Sequence, residues 1–289
     1  MKRYFKLPSP TRWCACALLV FAGLANAADV NLAVPKDVLT DYQKLVGTRN
    51  VLDITDYSGE GARRDTVEVI LFQQALRLGG MKDPIRFVPI DNYVRNITEV
   101  ELGRVTAMGT SAWAADLKDS KANLSVPTLR EGEYVVGFYT TENNQKALQA
   151  NLEQLKQLTV ITNKAWQNDI LTLEKLGITK IESAPTFVQI VKMLNAGRGD
   201  FIMTSFKPNP DLSFEIEGIK LVPIRNMKVA MPGSRHFLVS DNEQGQQVLA
   251  ALNTGLNQLR KEGRIRRAYT DAGFFTKKIE NWPLLNQPK

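Results

Sequence analysis

The chain has 289 residues, 44% of them hydrophobic, enough to bury one large core or two modest ones. Its formal charge of +7 is concentrated at the start: Lys2, Arg3, Lys6 and Arg12 precede an apolar run, Trp13 to Leu24, and the small residues Ala25-Asn26-Ala27. That run is shorter than the roughly 20 residues needed to span a bilayer and has the layout of a secretory signal.

Removal of residues 1–27 leaves 33 basic against 30 acidic residues, a balance of +3 that asks for neither nucleic acid nor an anionic membrane. Both cysteines, Cys14 and Cys16, go with the signal, so disulfides and thiolate catalysis are excluded from the mature protein. The alanine-rich style of the signal is bacterial, and a periplasmic location is expected.

Residues 28–47 carry Val38, Leu39, Tyr42, Leu45 and Val46 at helical spacing. The ordered fold is expected to begin with a strand through Val51, Leu52 and Ile54, followed by the loop Asp56-Tyr57-Ser58-Gly59-Glu60-Gly61. Asp65 reads as the N-cap of a helix ending at Gly79-Gly80. A strand from Ile85 to Val88, a helix from about Asp91 and a strand from Val105 to Gly109 complete an order that makes a parallel sheet.

A further strand, Glu133 to Tyr139, leads to a crossing into a second unit near Tyr139 to Glu142. There the plan repeats, with strands at Leu158 to Thr162, near Ile181 and from Ile219 to Ile224, and a helix from Ile170 to Leu176. The chain then returns through a strand, His236 to Val239, and a long helix with Val248, Leu249, Leu252, Leu256 and Leu259 on one face. A short helix, Arg264 to Tyr269, follows, and the tail beyond Lys277 reads as loosely attached.

One stretch occurs twice. GRVTAMGTS at Gly103 to Ser111 matches GRGDFIMTS at Gly197 to Ser205, 94 residues later. Each copy follows an amphipathic run, turns at Gly-Arg, enters a short apolar strand and ends on Thr-Ser. Two such copies fit two similar α/β lobes. Ligands of open α/β sheets bind beyond the carboxyl ends of the strands, which places Thr110, Ser111, Thr204 and Ser205 on the walls of a cleft between the lobes.

Three segments, LTVITNKAWQND from Leu158, FVQIVKMLNAGRGDFIMTS from Phe187 and VLAALNTGLNQLRKEGRIRRAYTDAGFF from Val248, resemble bacterial periplasmic solute-binding proteins of the type II class, extracellular family 3, whose known members bind polar amino acids. The resemblance implies two lobes joined by two hinge strands. Residues 28–139 with 231–289 would form the first lobe and 140–230 the second. It also implies capture of a small solute by hinge closure, usually for an inner-membrane ABC-type transporter; a small polar or aromatic-bearing ligand and a monomeric chain are expected.

Amino-acid binders of that family place an arginine after the third strand and an aspartate at the end of the second Gly-Arg strand, to clamp the ligand's carboxylate and ammonium. Here the first position lies in Ser111-Ala112-Trp113-Ala114-Ala115-Asp116 and the second falls near Ser205. The clamp is missing, which argues against a polar amino acid and raises a second reading: a sensor or partner-binding protein acting with a membrane receptor. A third, a dehydratase-like enzyme using Glu60 as a lone acid, has only that carboxylate behind it.

The expected ligand contacts are Tyr57, Trp113 and Trp166 as stacking surfaces, and Ser111, Thr204 and Ser205 as hydrogen-bonding strand ends. Arg63, or its neighbour Arg64, would be a substitute cation and Phe206 a pocket floor. Tyr57, Trp113 and Trp166 have packing roles as alternatives, the arginines a solvated one, Phe206 a core-closing one, and the strand-end hydroxyls a helix-capping one. His236, the only histidine, has no partners in the pattern for nucleophilic catalysis, and no carboxylate set has metal-ligand spacing. No enzyme activity, cofactor or nucleic-acid partner is expected.

Overall fold

The computed structural model describes residues 1, 2 and 29–286; the signal and both cysteines lie outside the described residues, apart from Met1 and Lys2. The described chain opens on a strand that the sequence reading passed over, β1 (Val30–Val34), and then forms α1 (Lys36–Val46). Val51–Asp53 is a single 3-10 turn, not a strand. Asn50 caps it and no sheet pairing forms there.

Helix α2 (Arg64–Leu78) has Val67, Val69, Ile70, Leu71, Phe72, Ala75 and Leu76 buried on all sides. It is the central helix of the core, where an apolar face all round is expected. Asp65 is not its cap; Arg63 occupies that position and Asp65 lies in the first turn. There follow β2 (Ile85–Pro89), α3 (Tyr93–Glu101), β3 (Ala107–Met108), β4 (Ala112–Trp113) and β5 (Asn123–Leu124).

The long strand β6 (Val135–Thr141) then enters a second sheet, and α4 (Gln145–Leu148), α5 (Leu152–Leu155), β7 (Val160–Thr162), α6 (Gln167–Lys175), β8 (Ile181–Ser183), α7 (Phe187–Asn195), β9 (Ile202–Ser205), β10 (Phe214–Ile216) and β11 (Ile219–Ala230) follow. The return consists of β12 (Arg235–His236), β13 (Leu238–Val239), α8 (Glu243–Lys261) and α9 (Arg264–Asp271).

The first sheet has the order β2-β1-β3-β13-β5, with β1 parallel to both β2 and β3. The second has the order β10-β11-β6-β9, and β7 joins β9 through a parallel bridge, Val160 to Phe201. β6 and β11 carry the chain out to the second sheet and back. They pair antiparallel, Tyr139 opposite Pro223 and Gly137 opposite Lys228. Four residues on one strand thus face one on the other, a bulge in the connection between the lobes.

The repeat is visible in the backbone. Gly103 (φ 66°) and Gly197 (φ 70°) both stand in the left-handed region, and in each case the next amide, Arg104 or Arg198, reaches back to a carbonyl of the preceding helix, Glu99 or Met193. This helix-ending turn recurs because only glycine takes that φ without strain.

The tail is docked and not loose. Ile279 is buried, Trp282 meets Phe206 edge-on at 5.6 Å, and Asn286 exchanges side-chain hydrogen bonds with both backbone groups of Ala230. Just before it, Gly273 crosses so close to the second lobe that an added Cβ would stand 2.2 Å from the Pro208 backbone. Lys278 Nζ donates to the carbonyls of Pro208 and Asn209.

Candidate functional site

A cleft of about 1010 Å³ lies between the lobes. Thr110 and Ser111 from one copy of the repeat and Thr204 and Ser205 from the other all line it, together with Arg63, Trp113 and Trp166. Two expected contacts do not. Tyr57 is fully buried beneath α2, its hydroxyl donating to Gln74 Oε1 at 2.8 Å and its amide to Asp271 at 3.1 Å. The cause is the first strand: β1 ends at Val34, so the Tyr57 loop joins α1 to α2 and never follows a strand. Phe206 is also buried away from the cleft, against Gly137, Tyr139 and Trp282.

The first wall is dense with charge, and its charges are paired. Arg63 is gripped by Asp37 (2.7 Å), Asp41 (2.8 Å) and Asp65 (3.6 Å). Arg64 pairs with Asp65, donates to the Tyr134 hydroxyl at 2.5 Å and stands 4.0 Å from Glu68. Burial raises the Asp65 carboxyl, but the Arg64 and Arg63 guanidiniums outweigh it and hold that carboxyl well below the usual range.

Glu68, fully buried, sits where the strand end would otherwise offer donors to a ligand. The Ser111 amide donates to it at 2.7 Å, the Ser111 hydroxyl at 2.6 Å and the Tyr269 hydroxyl at 2.9 Å. Arg235, arriving on β12, donates to Ser111 Oγ at 3.0 Å and to the Ser111 carbonyl, with its guanidinium 5.0 Å from the centre of the Trp113 ring. Trp113 in turn packs on Tyr134, with ring centres 4.8 Å apart.

The second wall differs. Lys207, 6% exposed, has Ser205 Oγ at 3.4 Å and the Phe214 ring at 4.6 Å. Among the described residues no carboxylate is within ion-pairing distance of it. Burial, together with the facing Arg63 and Arg64, lowers its pKa to about 7. Asp169, on α6, makes no side-chain hydrogen bond or ion pair among the described residues; burial and the neighbouring Asp116 raise its pKa to about 7 against the pull of Arg235 and Arg64.

The lobes touch across the cleft. The Gln167 amide donates to Asp116 at 2.8 Å, Asn168 donates to the Pro232 carbonyl at 2.5 Å, and Tyr93 meets Trp166 edge-on at 6.5 Å. Glu60 lies at the rim, 3.2 Å from Lys44, its side chain 77% exposed.

Arg64, weighed with Arg63 as a substitute cation, does line the cleft, while sequence reasoning missed Glu68, Asp169, Lys207 and Arg235. Glu68 carried a readable signal, a lone charge inside the apolar run Val67-Glu68-Val69-Ile70-Leu71 of a core helix. The others meet only through tertiary folding.

No protein-family profile matches the chain, and no curated protein sequence does. Solved structures match its fold. The VFT2 domain of Bordetella pertussis BvgS, as a double mutant, has 15% identity and a TM-score of 0.51 over 70% of this chain and 83% of that one. An amino-acid ABC transporter substrate-binding protein from Streptococcus pneumoniae, bound to L-arginine, has 13% identity and a TM-score of 0.55 over 86% and 95%. The ancestral amino-acid-binding protein AncCDT-1, a precursor of cyclohexadienyl dehydratase, has 14% identity and a TM-score of 0.51 over 86% and 95%. The chain has the two-lobe α/β fold of type II periplasmic binding proteins.

Proposed function

We propose that the protein is a periplasmic solute-binding protein that captures a small polar molecule by closing its lobes, with residues 28–139 and 231–289 as one lobe and 140–230 as the other. One observation carries this: a cleft of about 1010 Å³ whose second wall presents two ionisable groups, the buried Lys207 and the half-buried Asp169, with no ion-pair partner among the described residues. Unpaired buried charge is costly, and a solute that supplies the missing partners favours the closed form by its differential affinity.

Thr204, Ser205 and Trp166 are the expected contacts on that wall, and Trp113, Ser111 and Arg63 shape the other. Delivery to an ABC-type transporter is the first reading of the output. The likeness to a BvgS domain supports a second, in which the lobes report occupancy to a membrane sensor. The solute is returned unchanged in both.

The test is a thermal-shift screen of the purified protein against organic acids, amines, sugars and amino acids, with X-ray scattering on each hit. A solute at 100 times its Kd adds about 2.7 kcal/mol of stability. A hit that contracts the protein and is recovered intact by mass spectrometry supports capture. A chemically altered hit moves the reading to an enzyme. Hits that leave the lobes apart refute closure. A transporter that prefers the occupied form, or a receptor that prefers the empty one, separates the two outputs.

A further inference from the structure

The end of the second repeat continues from β9 as Thr204-Ser205-Phe206-Lys207, and its last residue brings a cation into the cleft. An ammonium has three protons to donate. Lys207 is 6% exposed and, among the described residues, is offered only the Ser205 hydroxyl at 3.4 Å and a ring face. The acidic residues across the gap are committed elsewhere, Asp41 to Arg63 and Asp65 to both Arg63 and Arg64. The Lys207 ammonium is therefore a buried donor facing open volume, with two hydroxyls, Thr204 and Ser205, lining the cleft beside it.

We propose that Lys207 anchors an anionic group of the captured solute, a carboxylate or a phosphate, with the Ser205 hydroxyl as its second donor. This rests on the solute-capture reading and fixes the charge at one end of the solute. It inverts the acidic contact that the resemblance places near this strand end. Burial and the Arg63 and Arg64 guanidiniums, which bring Lys207 to about 7, leave it near half-charged at neutral pH until an anion completes the pair.

The test is isothermal titration of the purified protein at pH 7 with inorganic phosphate and succinate, and with glucose and putrescine as uncharged and cationic controls. Binding of phosphate or succinate is expected, and which of them binds names the anion. Lys207→Met should weaken it about 10- to 100-fold, the range for a hydrogen bond to a charged group. Lys207→Arg should retain most of the affinity.

Equal binding by Lys207→Met overturns the proposal, as does failure of both anions. If both anions fail while glucose or putrescine binds and contracts the protein, solute capture stands without the Lys207 anchor. If all four fail and the lobes stay apart, both readings fall.

Should Lys207→Met not fold, wild-type protein carries the test alone. At pH 8 an anion that pairs with Lys207 draws a proton onto it, so titrations in buffers of different ionisation enthalpy should show proton uptake. The groups facing Lys207 are Arg63, Arg64 and Asp65 at the start of α2 and Asp41 on α1; the arginines stay charged at this pH and Asp65 stays ionised. Anion binding without proton uptake overturns the proposal.

Discussion

The two walls of the cleft both carry buried charge, but they settle it in opposite ways. On the first wall Arg63, Arg64, Glu68 and Arg235 are held by partners of their own lobe. On the second, Lys207 and Asp169 are left to the cleft. A paired wall is rigid before anything binds, and it costs no reorganisation. An unpaired wall stores free energy that an occupant releases. On the solute-capture proposal, specificity would lie with the second wall, whose charges lack ion-pair partners among the described residues.

The sharpest way to break this contrast is to delete a charge from each wall. Glu68→Ala removes the acceptor for Ser111 and Tyr269 and should cost about 3–5 kcal/mol, the usual result of orphaning buried polar partners; urea denaturation measures it. An unchanged midpoint would mean that the first wall is not a paired network.

The tryptophans give the next contrast. Trp113, 3% exposed and covered by Arg235, should cost about 3–5 kcal/mol as Trp113→Ala. The half-buried Trp166 should lose about 1 kcal/mol, mainly its edge contact with Tyr93. Equal losses in the two variants would erase the distinction between scaffold and contact surface.

Lys207→Met should stabilise the empty protein by about 1–2 kcal/mol, since an apolar side chain replaces a buried unpaired charge. A loss of stability would reveal a partner on the second wall. The second wall can also be probed by pH. Asp169 has a folded pKa of about 7, above its unfolded value of about 4, so its contribution is fully present below pH 4 and is lost as pH rises through 7. Asp169→Asn should therefore match wild type at pH 4 and exceed it at pH 8; parallel pH profiles would show that Asp169 is solvated.

Much of this was legible in the residues. The Gly-Arg-strand-Thr-Ser repeat located both strand ends of the cleft, because a left-handed glycine and an apolar pair are local signals. The stripe of Val248, Leu252, Leu256 and Leu259 gave α8 directly, and all four are buried. Strand β1 was hidden because Val30-Asn31-Leu32-Ala33-Val34 follows closely on an apolar, alanine-rich leader with no turn residue to mark its start.

Missing β1 moved the first strand to Val51, and that one displacement carried Tyr57 into the expected site. The charged residues were unreadable for a different reason. Asp169, Lys207 and Arg235 come from α6, the segment after β9 and β12, and no periodicity links elements so far apart in the chain. The expectation of a missing amino-acid clamp did not include what the structure places at the two strand ends: Glu68 takes the donors at the first, and Lys207 stands just past the second.

The docked tail adds a mechanical consequence. The lobes are joined by β6 and β11, and the segment from Gly273 to Asn286 is a third tie, fastened at Pro208, Phe206 and Ala230. Two bodies held by three threads lose most of their freedom to shear or twist and keep essentially one swing. Because Gly273 rides directly on the Lys207–Pro208 backbone, a shift of Lys207 and a shift of this third tie cannot occur independently.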